Sequence, residues 1–249
     1  MEPMRIAFDL DGVLADLHTP FVTTALKLFP ELDAAAIRTA DVGASPPVEP
    51  DTETPAADLA AMPSLVSRPV NRRQAEVIWR DLASRENFWE SLDEIEAGAI
   101  ARLAALVETR RWEVVFVTSR PTSAGRTVQR QTQRWLTRQG FPMPSVFVMH
   151  GSRGRLAGAL DLDVVVDDRP ENCLDVVLES RAGAVLIWRG PQETVPASAR
   201  RLGIAVAPTV ARCLDTILEA EESKAGGSLL DRLRALFGLR TKSTSVLRK

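Results

Sequence analysis

The stretch MRIAFDLDGVLAD, residues 4–16, decides the fold because it joins a core strand directly to a group of acids. The run Arg5–Phe8 is mostly apolar and predicts a buried strand, whereas Asp9, Asp11 and Asp16 follow at once. Strand interiors disfavour Asp, and a buried carboxylate without a partner is costly. We therefore expect these acids at the tip of the strand, where a cation or a ligand can neutralise them.

The composition is that of a globular protein. The chain has 249 residues, of which 45% are hydrophobic, so it can form one large domain or one domain with an insertion. Its 31 basic and 33 acidic residues give a net charge of −2, which does not indicate binding to a nucleic-acid polymer. Cys173 and Cys213 form no CxxC pair and are expected as reduced core thiols. No secretion signal or long apolar span is recognisable, so we predict a cytoplasmic protein.

Strands and helices alternate along most of the chain. Four short apolar runs predict further buried strands: Val114–Val117, Val146–Met149, Val164–Val166 and Ala184–Trp188. Helical periodicity occupies the segments Glu94–Arg110, with Asp93 as N-cap, and Ala124–Gln139, Glu171–Ser180 and Val210–Ala220. This order predicts an α/β fold, a Rossmann-like parallel sheet with helices on both faces.

One part of the chain breaks this alternation and predicts a helical cap. Residues 17–91 contain no convincing buried strand; the pattern predicts helices over residues 17–40 and 71–90, with a loop rich in Pro and acids near 42–66. The core would then consist of residues 1–16 and 92–222. An insertion after the first strand lies over the carboxyl ends of the sheet, where open α/β sheets bind ligands.

The C-terminal segment, residues 223–249, differs from the rest in charge. From Glu221 onward there are seven basic and three acidic residues, and leucines form an apolar stripe beside the arginines. Two interpretations are open: a terminal helix docked on its own domain, or a basic amphipathic helix that binds a partner or a membrane surface. Nothing in the sequence indicates an oligomeric state.

Two strands of the predicted sheet end in carboxylate pairs. Asp9 and Asp11 follow the first strand, and Asp167 and Asp168 follow Val164–Val166. Neighbouring parallel strands would bring both pairs to one edge, where the four acids repel one another unless a cation is present. Oxygen ligands suit a hard ion, and Mg²⁺ fits best because it takes few carboxylates and keeps water ligands.

Three segments then point to a known family. FDLDGVLAD, VVFVTSR and VVVDDRPEN resemble the first, second and fourth motifs of the haloacid dehalogenase-like (HAD) superfamily, in the same order and with similar spacing. The resemblance covers residues 4–188. The TSR and DDRPEN segments, with the helical insertion, look most similar to the 5′(3′)-deoxyribonucleotidase-like branch.

The resemblance implies a role for each matching residue. Asp9 would be the nucleophile that forms an aspartyl-phosphate, and Asp11 the general acid on the leaving oxygen and then the base on water. Gly12 would let the backbone bend close to the phosphate. Thr118 would donate a hydrogen bond to a phosphate oxygen. The metal would be held by Asp9, by the carbonyl of Asp11, and by one of the two acids Asp167 and Asp168.

The chain departs from the family at the third motif. That motif usually supplies a Lys, but the only lysines are Lys27, Lys224, Lys242 and Lys249. The candidates to replace it are Arg153 and Arg155, of which Arg153 is favoured because it precedes Gly154 at a helix start. Arginine supplies the same charge and can hold two phosphate oxygens. Ser119, Arg120 and Arg155 are candidate substrate contacts, with a simple surface charge an equal alternative for Arg120.

The sequence thus predicts a Mg²⁺-dependent phosphatase that acts on a small phosphomonoester, for which a nucleoside monophosphate is one candidate. One alternative is a phosphotransferase that uses the same intermediate. Another is a phosphate-ligand binding or regulatory protein with weak activity, which the missing Lys and the basic tail favour. Trp79, Phe88 and Trp89 could stack on a base or pack the cap onto the core. A stripe of arginines on one helix could be a solvated face or an anion-binding surface: Arg126, Arg130, Arg134 and Arg138.

Overall fold

A six-stranded parallel sheet forms the centre of the protein. The computed structural model describes residues 3–37 and 70–223 together with Arg232. In chain order the strands are β1 (Met4–Asp9), β2 (Ala15–Asp16), β3 (Asp93–Glu94), β4 (Trp112–Thr118), β5 (Ser145–Val148), β6 (Val164–Asp167), β7 (Gly183–Ile187) and β8 (Ala205–Ala207). The sheet order is β5-β4-β1-β6-β7-β8, and every neighbouring pair is parallel.

Helices cover both faces of this sheet. They are α1 (His18–Leu28), α2 (Arg72–Ser84), α3 (Ala99–Thr109), α4 (Val128–Arg138), α5 (Arg153–Ala159), α6 (Pro170–Glu179), α7 (Ala197–Arg201) and α8 (Val210–Glu222), with short 3₁₀ helices at Ala34–Ala36, Phe88–Glu90 and Gln192–Thr194. Side chains alternate across β1, so Ile6 and Phe8 pack with α3, α4 and α8, whereas Ala7 packs with α5, α6 and α7. The predicted Rossmann-like α/β fold is confirmed.

The register of the central strands brings the site residues to one edge. Phe8 lies between Phe116 of β4 and Val166 of β6, so Asp9 and Asp167 end neighbouring strands on the same side of the sheet. Thr118 ends β4 at this edge as well. Because the strands are parallel, the carboxyl ends of β1, β4 and β6 form one continuous rim.

The helix boundaries differ from the predicted ones where local chemistry stops the helix. The helix predicted over 17–40 ends at Leu28, because Phe29 precedes Pro30 and has non-helical backbone angles. The helix predicted over 71–90 ends at Ser84, and Asn87 has a left-handed backbone before the short 3₁₀ helix. Asn71 caps α2 through a capping box with Gln74.

The segment after the insertion is also different from the prediction. Asp93 is not a helix N-cap; Asp93–Glu94 forms β3, which pairs with Ala15–Asp16 as an antiparallel ribbon. Helix α3 starts only at Ala99, and the carboxylate of Glu94 accepts hydrogen bonds from the backbone N–H groups of Gly98 and Ile100. This ribbon joins the chain at the two ends of the predicted insertion.

Two elements at the far edge of the sheet were not predicted. Helix α7 and strand β8 follow β7 and add a sixth strand, although Ile204–Ala207 is an apolar run that could have indicated it. The expected core thiols are confirmed, since Cys173 and Cys213 are both free and buried. No helix in the described part of the chain is both long and apolar enough to cross a bilayer.

Two predicted segments fall outside the described residues. The loop near 42–66 is one of them, and so is the C-terminal tail apart from Ser223 and Arg232. The guanidinium of Arg232 donates a hydrogen bond to the carbonyl of Ser223 over 2.7 Å.

Candidate active site

The acids of the first strand lie in a tight turn at the carboxyl rim of the sheet. After Asp9 the chain passes through Leu10, whose carbonyl accepts hydrogen bonds from the backbone N–H groups of Leu14 and Ala15, both over 2.8 Å. The N–H of Gly12 donates back to the carbonyl of Ala15. The turn therefore directs Asp11 away from the strand while Asp9 stays nine-tenths buried at its tip.

Gly12 brings the two carboxylate segments into direct contact. Its φ is +90°, a left-handed conformation that favours glycine, and a Cβ at this position would lie 2.1 Å from the Oδ2 of Asp168. The absence of a side chain at residue 12 is what allows Asp168 to pack against the turn that carries Asp11. The predicted role of Gly12 in permitting a close approach fits this position.

Three of the four acids carry strongly perturbed pKa values because they are buried together. Burial, with the negative charge of Asp167, raises the pKa of Asp9 well above its usual range, against the lowering effect of Arg153. Burial and the charge of Asp168 raise the pKa of Asp167 to about 7. Burial and the charge of Asp9 raise the pKa of Asp168 to about 7. The rim thus holds more negative charge than its arginines neutralise.

This excess of charge fits a hard divalent cation. The donors are carboxylate oxygens and backbone carbonyls, which Mg²⁺ prefers, and a cation would relieve the repulsion that raises the pKa values of Asp9, Asp167 and Asp168. Within residues 3–37 and 70–223, no three His, Cys, Asp or Glu side chains are already gathered as a metal-binding cluster. The donor set fits magnesium, although the carboxylates do not form a ready-made cage.

Asp167 and Asp168 have different surroundings in the structure, whereas the sequence did not show which of the two would bind a metal directly. Both carboxylate oxygens of Asp167 accept hydrogen bonds, Oδ1 from the backbone N–H of Arg169 over 2.8 Å and Oδ2 from the amide of Asn172 over 2.9 Å. Asp168 lies against Gly12 with its carboxylate towards the Asp11 turn. Asp168 is therefore the better placed of the two to contact a cation directly.

Arg153 is the arginine that the structure brings to the nucleophile position. It is the first residue of α5, its side chain is 4% exposed, and its Nη2 donates to the Oδ1 of Asp9 over 3.0 Å and to the Oγ of Ser119 over 3.1 Å. Its Nε lies 3.8 Å from the Oδ2 of Asp167. The Nε and Nη1 atoms are buried without a hydrogen-bond partner, so two donors beside Asp9 lack an acceptor.

The fold explains why the chain presents Arg153 rather than Arg155. The Oγ of Ser152 caps α5 by accepting from the N–H of Arg155, and Gly154 packs so closely on α6 that a Cβ there would lie 2.3 Å from the carbonyl of Asp175. Arg155 then points away from the rim, where it is 83% exposed and pairs with Glu179 over 3.3 Å. The structure does not bring Arg155 to the site as a substrate contact.

The side chain of Arg120 is neither of the two alternatives that the sequence suggested, a substrate contact and a surface charge. Its side chain is completely buried rather than a surface charge, and it forms a two-pronged ion pair with Asp11 rather than projecting towards a substrate. The hydroxyl of Thr118 lies 3.4 Å from the Oδ2 of the same carboxylate, to which it donates. Asp11 is thus held by two groups at the end of β4.

A cleft opens above these residues. Its empty space is about 570 Å³ counted out to the solvent, and its lining joins the polar rim to an apolar wall formed by Leu17, Trp79, Trp89 and Pro121. The aromatic rings of Phe21, Trp79, Phe88 and Trp89 pack against one another with centroid separations of 4.9 to 6.2 Å. These rings join the cap to the core. This packing is one of the two roles considered for the aromatic residues, the other being stacking on a base.

Two residues near the site were not singled out from the sequence. Asn172 fixes Asp167, and its place in the DDRPEN segment could have indicated it. Arg189 follows β7 at the same rim and donates to the carbonyls of Gly12 and Val13 and to the carboxylate of Glu96. Its position at a strand end was the available signal.

Three arginines of the stripe on and before α4 share one carboxylate. Arg126, Arg134 and Arg138 converge on the carboxylate of Glu90 at distances of 3.5, 3.1 and 3.5 Å. These residues connect α4 to the end of the cap segment. Their side chains remain about half exposed, and the choice between a solvated face and an anion-binding surface stays a prediction.

Comparison with known proteins shows the same fold in hydrolases. A hydrolase from Pseudomonas syringae is similar over 87% of this chain and 98% of its own, with a TM-score of 0.51 and 15% sequence identity. A HAD family hydrolase from Deinococcus radiodurans, solved with bound phosphate and sodium, is similar over 91% of this chain and 100% of its own, with a TM-score of 0.52 and 16% identity. No protein-family model matches the sequence, and neither does any curated protein. The chain therefore has the fold of HAD-like hydrolases.

Proposed function

We propose that this protein is a Mg²⁺-dependent phosphatase that hydrolyses a small phosphomonoester through an aspartyl-phosphate on Asp9. The observation that carries the proposal is the ion pair of Arg153 with Asp9 in the lining of a cleft that also contains Asp11 and Thr118. A phosphate group in this cleft would lie beside Asp9, with the charge of Arg153 next to it. Phosphate bound in a hydrolase of the same fold supports this interpretation.

Each residue of the rim then has a separate task. The carboxylate of Asp9 attacks phosphorus, while Arg153 holds phosphate oxygens and balances their charge. Asp11 gives a proton to the departing oxygen and afterwards takes one from the water that attacks the aspartyl-phosphate, which frees Asp9 and inorganic phosphate. The hydroxyl of Thr118 can turn from Asp11 to donate to a phosphate oxygen.

Bound magnesium would be held by Asp9, the backbone carbonyl of Asp11 and Asp168, in line with the raised pKa values of the Asp9 and Asp168 carboxyl groups. It would supply positive charge beside the phosphoryl group, which lowers the cost of gathering these anions. The hydrogen bonds of Asp167 assign it a supporting role, in which it orients the end of β6 and Arg153.

The apolar wall of the cleft limits which leaving groups a substrate can have. Trp89 is only 1% exposed and Trp79 only 6% exposed, so a leaving group would meet their edges and the side chain of Leu17. We propose a small leaving group with an apolar or planar face, and a nucleoside monophosphate is retained as one candidate. A phosphotransferase would use the same residues, with an alcohol in place of water.

The proposal is tested by a phosphate-release screen over alkyl, aryl and nucleoside monophosphates with Mg²⁺. We expect release from at least one class, and a loss on the order of 10³-fold or more in Asp9→Asn. Asp161→Asn is the matched control, because Asp161 is 94% exposed at the opposite end of the strands. Activity that survives Asp9→Asn would exclude the nucleophile, and phosphate transfer to an added alcohol would identify a phosphotransferase.

A further inference from the structure

A buried arginine fixes the carboxylate to which the proposed function gives acid and base chemistry. The Nε of Arg120 lies 3.0 Å from the Oδ1 and 2.8 Å from the Oδ2 of Asp11, and its Nη2 lies 2.7 Å from the Oδ1. A planar guanidinium that meets a carboxylate in this way determines both its position and its plane.

Arg120 is itself held in one orientation. Its Nη1 donates to the Oγ1 of Thr132 over 3.0 Å. The guanidinium carbon lies 4.8 Å from the ring centroid of Trp89 and 5.8 Å from that of Trp135. Both indole N–H groups are tied to backbone carbonyls, that of Trp89 to Pro121 and that of Trp135 to Leu92. The arginine is therefore a rigid support rather than a mobile surface charge.

The same contacts separate the task of Arg120 from that of Arg153. Each of the three guanidinium nitrogens of Arg120 already donates to a protein oxygen, whereas two nitrogens of Arg153 have no hydrogen-bond partner. With its side chain wholly buried, Arg120 has no surface to offer a substrate. The side-chain ion pair of Arg120 is with Asp11, while its charge also lowers the pKa of Asp9 and its backbone N–H donates to the hydroxyl of Thr118.

We propose that Arg120 is a positioning residue that holds Asp11 where it can exchange a proton with the leaving oxygen and with the attacking water. This inference rests on the proposed function. Arg120 would not contact the substrate. In this role Thr118 and Arg120 of the TSR segment both donate to the carboxylate of Asp11.

This role has a chemical signature that a purely structural role lacks. An alkyl phosphate expels an alkoxide that needs a proton, whereas p-nitrophenyl phosphate expels a stable anion that does not. In a reaction with a covalent intermediate, kcat/KM covers steps up to departure of the leaving group, and kcat also includes hydrolysis of the intermediate. A misplaced Asp11 should therefore lower kcat/KM for the alkyl ester far more than for the aryl ester.

The test is a double-mutant cycle on Asp11 and Arg120 with both substrates. We expect Arg120→Gln to lower kcat/KM for an alkyl phosphate by about 100-fold and for p-nitrophenyl phosphate by less than about 5-fold. Arg120→Lys keeps the charge but lacks the planar guanidinium, so its kcat/KM values should lie between those of wild type and Arg120→Gln. In the Asp11→Asn background, Arg120→Gln should add less than about 3-fold. Thr132→Val removes only the anchor of the arginine and should show the same preference at about 3- to 10-fold.

Three results would overturn the proposal. Equal losses on both substrates would mean that Arg120 only maintains the fold, and multiplicative losses in the cycle would mean that it acts without Asp11. Thermal unfolding of each variant identifies those that fail to fold, and Thr132→Val then carries the test because it leaves the ion pair intact. A wild-type protein that releases phosphate from neither ester would refute the proposed function itself, and this role with it.

Discussion

The protein should lose stability as the pH rises, because the buried carboxyl group of Asp168, which follows β6, then ionises. Replacing Asp168 with Asn should remove much of this loss. Burial and the charge of Asp9 raise the pKa of Asp168 from 3.8 to about 7. The folded protein therefore binds this proton more tightly than the unfolded chain does. The stabilisation is fully present below about pH 4 and is lost as the pH rises through about 7.

The size of the effect follows from the shift. At about 1.4 kcal/mol per pKa unit, moving from 3.8 to about 7 corresponds to about 4 kcal/mol for one group. Asp167 has a pKa raised to about 7 by burial and by Asp168, so the substitution also weakens that second contribution. Without divalent cations, the free energy of unfolding of the wild type should fall as the pH rises from about 4 to about 8. The corresponding fall for Asp168→Asn should be smaller by about 4 kcal/mol.

Urea unfolding at a series of pH values, in EDTA and then in Mg²⁺, measures this difference. Magnesium binds ionised carboxylates, so it should stabilise wild type at about pH 8 but much less at about pH 5, and should do little for Asp168→Asn. Asp161→Asn, at an exposed position, should keep the wild-type profile. A variant at Asp168 with the full wild-type pH dependence would refute the argument that buried carboxylate repulsion shapes this rim.

Three further changes test other parts of the site. Arg153→Ala should lower kcat/KM by about 10²- to 10³-fold because it removes the charge beside the phosphate, whereas Arg155→Ala should stay within about 2-fold in the same phosphate-release assay; two unaffected variants would contradict the assignment of Arg153. Gly12→Ala should abolish turnover and lower the melting temperature, since its Cβ collides with Asp168 at a φ of +90°; a fully active variant would show that the turn is not so constrained. Glu90→Gln should cost about 1 kcal/mol in urea unfolding, because its three arginines are partly solvent-exposed; an unchanged stability would mean that the cluster is not a structural contact.

The sequence predicts the centre of the sheet well because those strands are buried on both faces. Strands β1, β4 and β6 contain the apolar runs Ile6–Phe8, Val114–Val117 and Val164–Val166, and the polar residues that follow these runs mark the rim directly. The β2–β3 ribbon has only two residues per strand and no apolar pattern, so nothing local distinguishes it from a helix start. The early end of α1 was available in principle from Pro30.

The site shows a similar division between local and distant information. Asp9, Asp11, Thr118 and Arg153 lie at strand or helix ends, and sequence position alone brings them to one rim. The burial of Arg120 could not be predicted in this way. The groups around it come from the end of the cap segment and from α4, and only the folded chain brings them around one guanidinium.

The central claim is that Asp9 becomes covalently phosphorylated during turnover. It is tested most directly by acid-quenching the enzyme during reaction with a ³²P-labelled substrate and mapping the label by proteolysis and mass spectrometry. The account predicts a hydroxylamine-sensitive acyl phosphate on the peptide that contains Asp9, absent from Asp9→Asn and present in Asp161→Asn. Phosphate release by the wild type with no such label under pre-steady-state conditions, or a label that persists in Asp9→Asn, would contradict it.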